Sequence, residues 1–161
     1  MPSRGVGAFV SSLLSIDPGL KSVGWAYWGG RELVCCGLSR TKETDVSKQA
    51  HAHWRNIEMY QDAERRVSEM MVWRGKNAKS SPADLLKLNI IAGRLASEWL
   101  APSTWKGWVE KKIHQPRILA KLSAEERAVL AGCKCPPSLL HNVIDAVGIG
   151  LYCLGRMRST K

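Results

Sequence analysis

The sequence predicts an α/β fold: a mixed five-stranded sheet flanked by helices in one domain spanning residues 1–161. Two observations carry this. The N-terminal part holds three short apolar runs separated by turn signals, whereas the rest alternates helix-period stretches with further short runs, an order β-β-β-α-β-α-β-α. At 161 residues and 45% hydrophobic, the chain supplies one core and is too short for two.

Residues 1 to 8 are Gly-rich and expected to be frayed. Val10 to Ile16 is an apolar run with three serines, bounded by Asp17-Pro18-Gly19, and fits a strand ending in a turn. Val23 to Trp28, the turn Gly29-Gly30 and the return Glu32 to Leu38 read as a hairpin. From Lys42 to about Asp62 the composition favours helix, with Val46, Ala50, Trp54, Ile57 and Tyr60 spaced to share one face. Arg65 to Trp73 reads as a fourth strand, followed by a basic loop from Arg74 to Ser81. Ser81 and Pro82 then open a helix from Ala83 to about Trp99, with Leu85, Leu88, Ile91, Ala92 and Leu95 inward. A fifth strand is placed around Leu100 to Trp105, a helix near Gln115 to Lys121, and a capping box at Ser123–Glu126 opens another short helix. Cys133-Lys-Cys-Pro-Pro137 is a rigid link. Ser138 is expected to cap a last helix from Leu139 to about Leu154, stopped by Gly155.

Charge narrows the function. With 24 Lys+Arg against 14 Asp+Glu the chain carries +10, and this excess of cations calls for an anionic partner, nucleic acid first. No run of about 18 uncharged apolar residues exists, so no membrane partner is expected. Five cysteines are an odd number without the spacing of a disulfide framework, which fits a reducing, cytoplasmic setting. Cys133, Cys135 and His141 fall short of the four ligands of a structural zinc site.

Three acids stand out against this basic background. Asp17 lies at the carboxyl end of the first strand, where the Pro-Gly turn leads the chain away. An Asx-type turn explains it equally well. Glu69 interrupts the apolar run Val67 to Val72, where a lone buried carboxylate is costly and calls for a cation, unless it is an edge-strand charge facing water. Asp145 is the acid of an otherwise apolar last helix, with His141, Gly148 and Tyr152 on its face and Gly148 small enough to admit a strand closely. Carboxylates from two strands and a helix are a donor set for hard divalent ions, Mg²⁺ or Mn²⁺, and two such ions suit phosphodiester cleavage. Asp84 near a helix start is explained by the helix dipole and kept only as an accessory. Glu58, Asp62, Glu64, Glu125 and Glu126 read as solvated faces.

The stretch Ser15-Ile-Asp-Pro-Gly-Leu-Lys-Ser-Val-Gly-Trp-Ala26 resembles the first-strand signature of RuvC-type Holliday junction resolvases of the ribonuclease H-like superfamily. Glu69-Met-Met-Val-Trp, the basic loop and Ser81–Leu88 resemble the second acidic motif and its helix. Trp105-Lys-Gly and His141–Leu151 are similar to segments of the phage and prophage branch. The resemblance runs through nearly the whole chain in order. It implies a ribonuclease H-like fold and a homodimeric endonuclease resolving four-way junctions and other branched DNA, in a bacterial or phage-infected cell, with about two Mg²⁺ per site and Mn²⁺ able to substitute. By position Asp17, Glu69 and Asp145 match the catalytic acids. The family's fourth ligand, an Asp or His one turn before the last Asp, falls on Asn142; His141 beside it is a second candidate, as ligand or proton carrier.

For DNA contact the sequence offers Arg74, Lys76 and Lys79 in the loop after Glu69, and Lys106, Lys111, Lys112 and Arg117 interleaved with Trp105 and Trp108, tryptophans that read more readily as core. A nuclease preferring flaps, forks or hybrids, and a non-catalytic branched-DNA-binding module, are the competing functions.

Overall fold

β-Branched and aromatic residues in the first three runs form an antiparallel meander, β1 (Ser12–Asp17), β2 (Ser22–Gly29) and β3 (Glu32–Arg40), in a computed structural model that describes residues 11–72, 80–107 and 109–158. The hairpin turn sits one residue later than expected. Gly29 pairs with Glu32 inside the ladder, and Gly30 takes the left-handed backbone (φ 59°) that the turn requires. The chain then crosses through α1 (Val46–Asn56) to β4 (Arg65–Glu69), and through α2 (Pro82–Leu95) to β5 (Glu98–Leu100), both parallel to β1. The sheet order is β3-β2-β1-β4-β5, the mixed five-stranded α/β arrangement the sequence predicts, with β1 bonded on both sides. The helices α3 (Pro102–Trp105), α4 (Lys111–Ala120), α5 (Ala124–Ala131) and α6 (Leu140–Cys153) complete the chain.

Several boundaries differ from expectation. The first crossover helix is shorter because Asp45 caps it at Lys48 N–H and a 3₁₀ turn over Glu58–Tyr60 replaces its end. β4 stops at Glu69, not Trp73, since the Asn89 side chain takes both the N–H and the C=O of Met71 and so removes them from the ladder. β5 lies earlier than expected and the segment assigned to it coils into α3, with Pro102 in its first turn. α4 starts at Lys111 and carries Pro116 inside it. Ser123 and Glu126 form the expected capping box, whereas Ser138 does not cap α6, which follows directly from a 3₁₀ turn over Pro137–Leu139. The expected fray of residues 1–8, the basic loop with Arg74, Lys76 and Lys79, and Trp108 lie outside the described residues.

Alternation along β1 divides the core. Leu14 and Ile16 face α1 and α2 with Val23, Ile57, Ile91 and Leu95, whereas Leu13 faces α6 with Trp28, Val67, Trp105, Ile118 and Val147. Ser15 lies on the α6 side, and its hydroxyl donates to the Ala146 carbonyl (2.8 Å) while accepting from Trp28 Nε1 (3.1 Å). The helix comes close to the sheet at Gly24, where a Cβ would lie 2.1 Å from the Asn142 carbonyl oxygen. The sequence-based expectation placed that approach at Gly148, which instead faces Trp105 and Ile118. Glu126, expected on a solvated face, is buried: its carboxylate accepts from the Leu33 and Ser123 backbone N–H groups and pairs with Arg156 through contacts of 2.5 and 2.7 Å. It thus ties α5 to β3 and to the turn after α6.

Two glycines test this packing with opposite signs. At Gly150 a Cβ would lie 2.1 Å from the indole nitrogen of fully buried Trp28, so Gly150→Ala is expected to destabilise by at least about 1–3 kcal/mol. At Gly93, in α2 with open space around it, the same change is expected to stabilise by roughly 0.5–1 kcal/mol. Urea unfolding of both variants measures the difference.

Arg156 holds the Glu126 carboxyl down to about 2 against the opposing cost of burial. Its unfolded value is about 4.3, so the stabilisation is complete above that pH and is lost as pH falls towards 2. Glu126→Gln is expected to cost about 3 kcal/mol at pH 7 and to flatten the stability profile between about pH 4.5 and 2, read by urea unfolding across that range.

Candidate active site

The parallel pairing of β1 with β4 sets the site. Ile16 pairs with Ser68, so one register step further brings Asp17 level with Glu69, each the last residue of its strand and on the α6 side. Both strands end together, and Glu69 is therefore a terminal residue of β4 instead of a mid-strand one. Above them, α6 is fastened at two points, by Ser15 to Ala146 and by the Gly24 approach to Asn142, and Gly24 is itself the β2 partner of Asp17. Asp145 lies between those fastenings. Strands and helix together place the three predicted acids at the carboxyl end of the two central strands.

The three acids differ in their surroundings. Glu69 is buried, accepts from Trp105 Nε1 (3.1 Å) and pairs with Lys106 Nζ at 2.6 Å. Asp145, also buried, has Lys111 Nζ at 3.4 Å and a long contact from Gln115 Nε2 at 3.4 Å. Asp17 retains some exposure, and its side chain makes no hydrogen bond or ion pair among the described residues. Burial pushes its carboxyl well above the usual carboxylate range, and the charges of Asp145 and Glu69 push it further, with Lys106 and Lys111 opposing. Three carboxylates thus share their field with two ammonium groups.

The other candidates fall in different places. His141 and Asn142 open α6 half-buried, and neither side chain has a hydrogen bond or ion pair among the described residues; Asn142 contributes its backbone carbonyl against Gly24. The imidazole that feels Asp145 is His114 of α4, which the sequence reading did not single out. It is buried edge-on against Trp105 (4.9 Å between centroids), and burial holds it below the ordinary histidine value, with Asp145 pulling the other way. Trp105 is a core residue that also serves the site through its N–H. Of the proposed DNA contacts, Lys106 and Lys111 are engaged by the acids, Lys112 pairs with Glu110 on the surface (2.8 Å), and Arg117 is exposed further along α4. Asp84 is used in the Ser81 cap of α2. The Cys36 thiol faces Cys133 and Cys135 across the β3–α5 contact, and burial together with these neighbours and Cys35 pushes it up to about 12.

A divalent ion fits the donor set by type and charge. Carboxylate oxygens are hard ligands, and the crowding at Asp17 is relieved by a cation. Among the described residues no three Asp, Glu, His or Cys side chains are gathered closely enough to hold an ion, and Lys106 and Lys111 are the present partners of Glu69 and Asp145. An ion would replace these ammonium groups as the acids' partner.

No protein-family model matches this sequence, and no curated protein does. Among solved structures, the chain is similar to Thermus thermophilus RuvC, with a TM-score of 0.54 and 16% identity over 91% of this chain and 98% of that one. The same protein in complex with a Holliday junction substrate gives a TM-score of 0.56 at 16% identity, covering 92% and 98%. The yeast mitochondrial Holliday junction resolvase gives 0.52 at 10% identity, covering 91% and 82%. The mixed five-stranded sheet flanked by helices is the fold this chain shares with these solved structures.

Proposed function

We propose that this chain is a metal-dependent endodeoxyribonuclease that hydrolyses phosphodiesters in branched DNA, four-way junctions above all, and acts as a homodimer. The observation that carries this reading is the level placement of Asp17 and Glu69 at the ends of paired parallel strands, with Asp145 fastened above them, in a chain of net charge +10. Mutually repelling acids at the centre of a basic protein are accounted for by cations held between them and a phosphate. The similarity to RuvC, one structure of which contains a Holliday junction substrate, supports branched DNA as the substrate.

Asp17, Glu69 and Asp145 would hold the ions, two Mg²⁺ with Mn²⁺ as substitute, and His141 or Asn142 at the start of α6 would add a further ligand. When bound, the ions supply Lewis acidity and ease the deprotonation of water at neutral pH. Trp105 keeps one Glu69 oxygen oriented through its N–H, and the buried Ser15 contact fixes the height of Asp145 over the strands. Lys106 and Lys111, released from the acids, bind phosphate oxygens beside the reacting one. Arg74, Lys76 and Lys79, which follow β4 in the sequence, would add further phosphate contacts.

A second reading, a branched-DNA-binding module without catalysis, is favoured by one observation: Lys106 and Lys111 already neutralise two of the acids.

Asp17→Asn separates the two. It removes the acid that has no partner, so cleavage of a four-way junction is expected to fall by more than the roughly 10–100-fold typical of an outer-shell metal partner. Junction affinity is expected to hold or rise, because a negative charge beside phosphate is gone. Parallel gel-shift and cleavage assays on junctions, flaps, forks, hybrids and linear duplex check both; an unchanged cutting rate would remove Asp17 from the site.

A further inference from the structure

Beyond the acidic site, the chain carries a basic cavity that the nuclease reading does not use. It has a volume of about 470 Å³ and lies between α4 and the turn that follows α6. Arg117 and Lys121 line it from the α4 side and Arg156 and Arg158 from the other, and among the described residues no acid lines it. The Arg156 guanidinium is held in place by Glu126 and by the carbonyls of Arg31 and Lys121 (2.7 and 2.9 Å). Arg117, Lys121 and Arg158 have no acidic partner among the described residues, so three cations face one cavity uncompensated. Two further lining residues are His114 and Trp105. His114 is only 4% exposed, and among the described residues its buried Nε2 has no hydrogen-bond partner.

We infer that this cavity is a second phosphate site, which takes a phosphodiester of the bound DNA strand away from the one being cut. Clustered guanidinium and ammonium groups with an imidazole behind them suit the several oxygens of a phosphate. A strand is favoured over a free nucleotide because Trp105 is shared: its ring lines the cavity and its N–H holds Glu69. Trp105 thus belongs to both the cavity and the acidic site. Seating a phosphate there fixes Trp105, and through it the Glu69 carboxylate, so DNA binding organises the acidic site. This inference rests on the nuclease reading for its substrate but not for its existence as an anion site.

The test is a titration of the ¹⁵N-labelled full chain in chelator, following the Trp105 indole and His114 imidazole signals with inorganic phosphate, thymidine monophosphate and a short single-stranded oligonucleotide. Saturable movement of both signals with the oligonucleotide, at least several-fold weaker in the Lys121→Gln/Arg158→Gln variant, is the expected result. The salt slope of junction binding should also fall by about 0.9 in that variant, for the one phosphate whose contact is lost. No movement with any probe overturns the site; saturation by the mononucleotide but not the oligonucleotide overturns its assignment to DNA. Movement in a protein that cuts no junction leaves the site standing and removes the nuclease reading, whereas junction cutting with an unchanged salt slope in the variant does the reverse.

Discussion

Three carboxylates held within one another's field are the constraint on which the rest of the structure turns. Asp17, Glu69 and Asp145 repel one another in surroundings dry enough to raise Asp17 well above the ordinary carboxylate range, and such a cluster persists only where the scaffold enforces it. Here the scaffold does so twice over. Parallel hydrogen bonding brings the ends of β1 and β4 level, and a buried serine, a glycine and an indole lock α6 on top. The two lysines that satisfy Glu69 and Asp145 are the folded protein's own answer to that repulsion.

This arrangement explains why the chain is basic around an acidic centre. Under the proposed function, a site that holds negative charge and still admits a polyanion needs cations that move from one to the other. Lys106 and Lys111 stand at that boundary, at 22% and 66% side-chain exposure, so the first is a pinned partner and the second a loosely held one. A third layer, the uncompensated Arg117, Lys121 and Arg158, extends the positive field behind Trp105. In water such charges would contribute little to stability. In the proposed function their value lies in attracting phosphate.

Much of this was legible in the sequence because it is local. The hairpin, the Ser123 capping box and the inward face of α2 follow from turn chemistry and periodicity, and the three acids stood out because each interrupts an apolar or turn context. Contacts between distant segments were not legible. Nothing in the spacing of Trp105 and Glu69, or of Gln115 and Asp145, signals that they touch, and periodicity carries no information at separations of 36 and 30 residues. The same applies to Glu126, whose capping-box position was visible but whose burial depends on Arg156, 30 residues away. Pro116 masked the first turn of α4 and with it His114, while the end of β4 was hidden because a side-chain amide, not a backbone signal, ends it.

The most direct measurement is cleavage of a labelled immobile four-way junction and a matched linear duplex by the purified protein, with Mg²⁺, with Mn²⁺ and with chelator. The account predicts nicks in the junction that require a divalent ion, with the duplex left intact. Tight junction binding with no cut under either metal would contradict it and leave Glu69 and Asp145 as acids neutralised by Lys106 and Lys111.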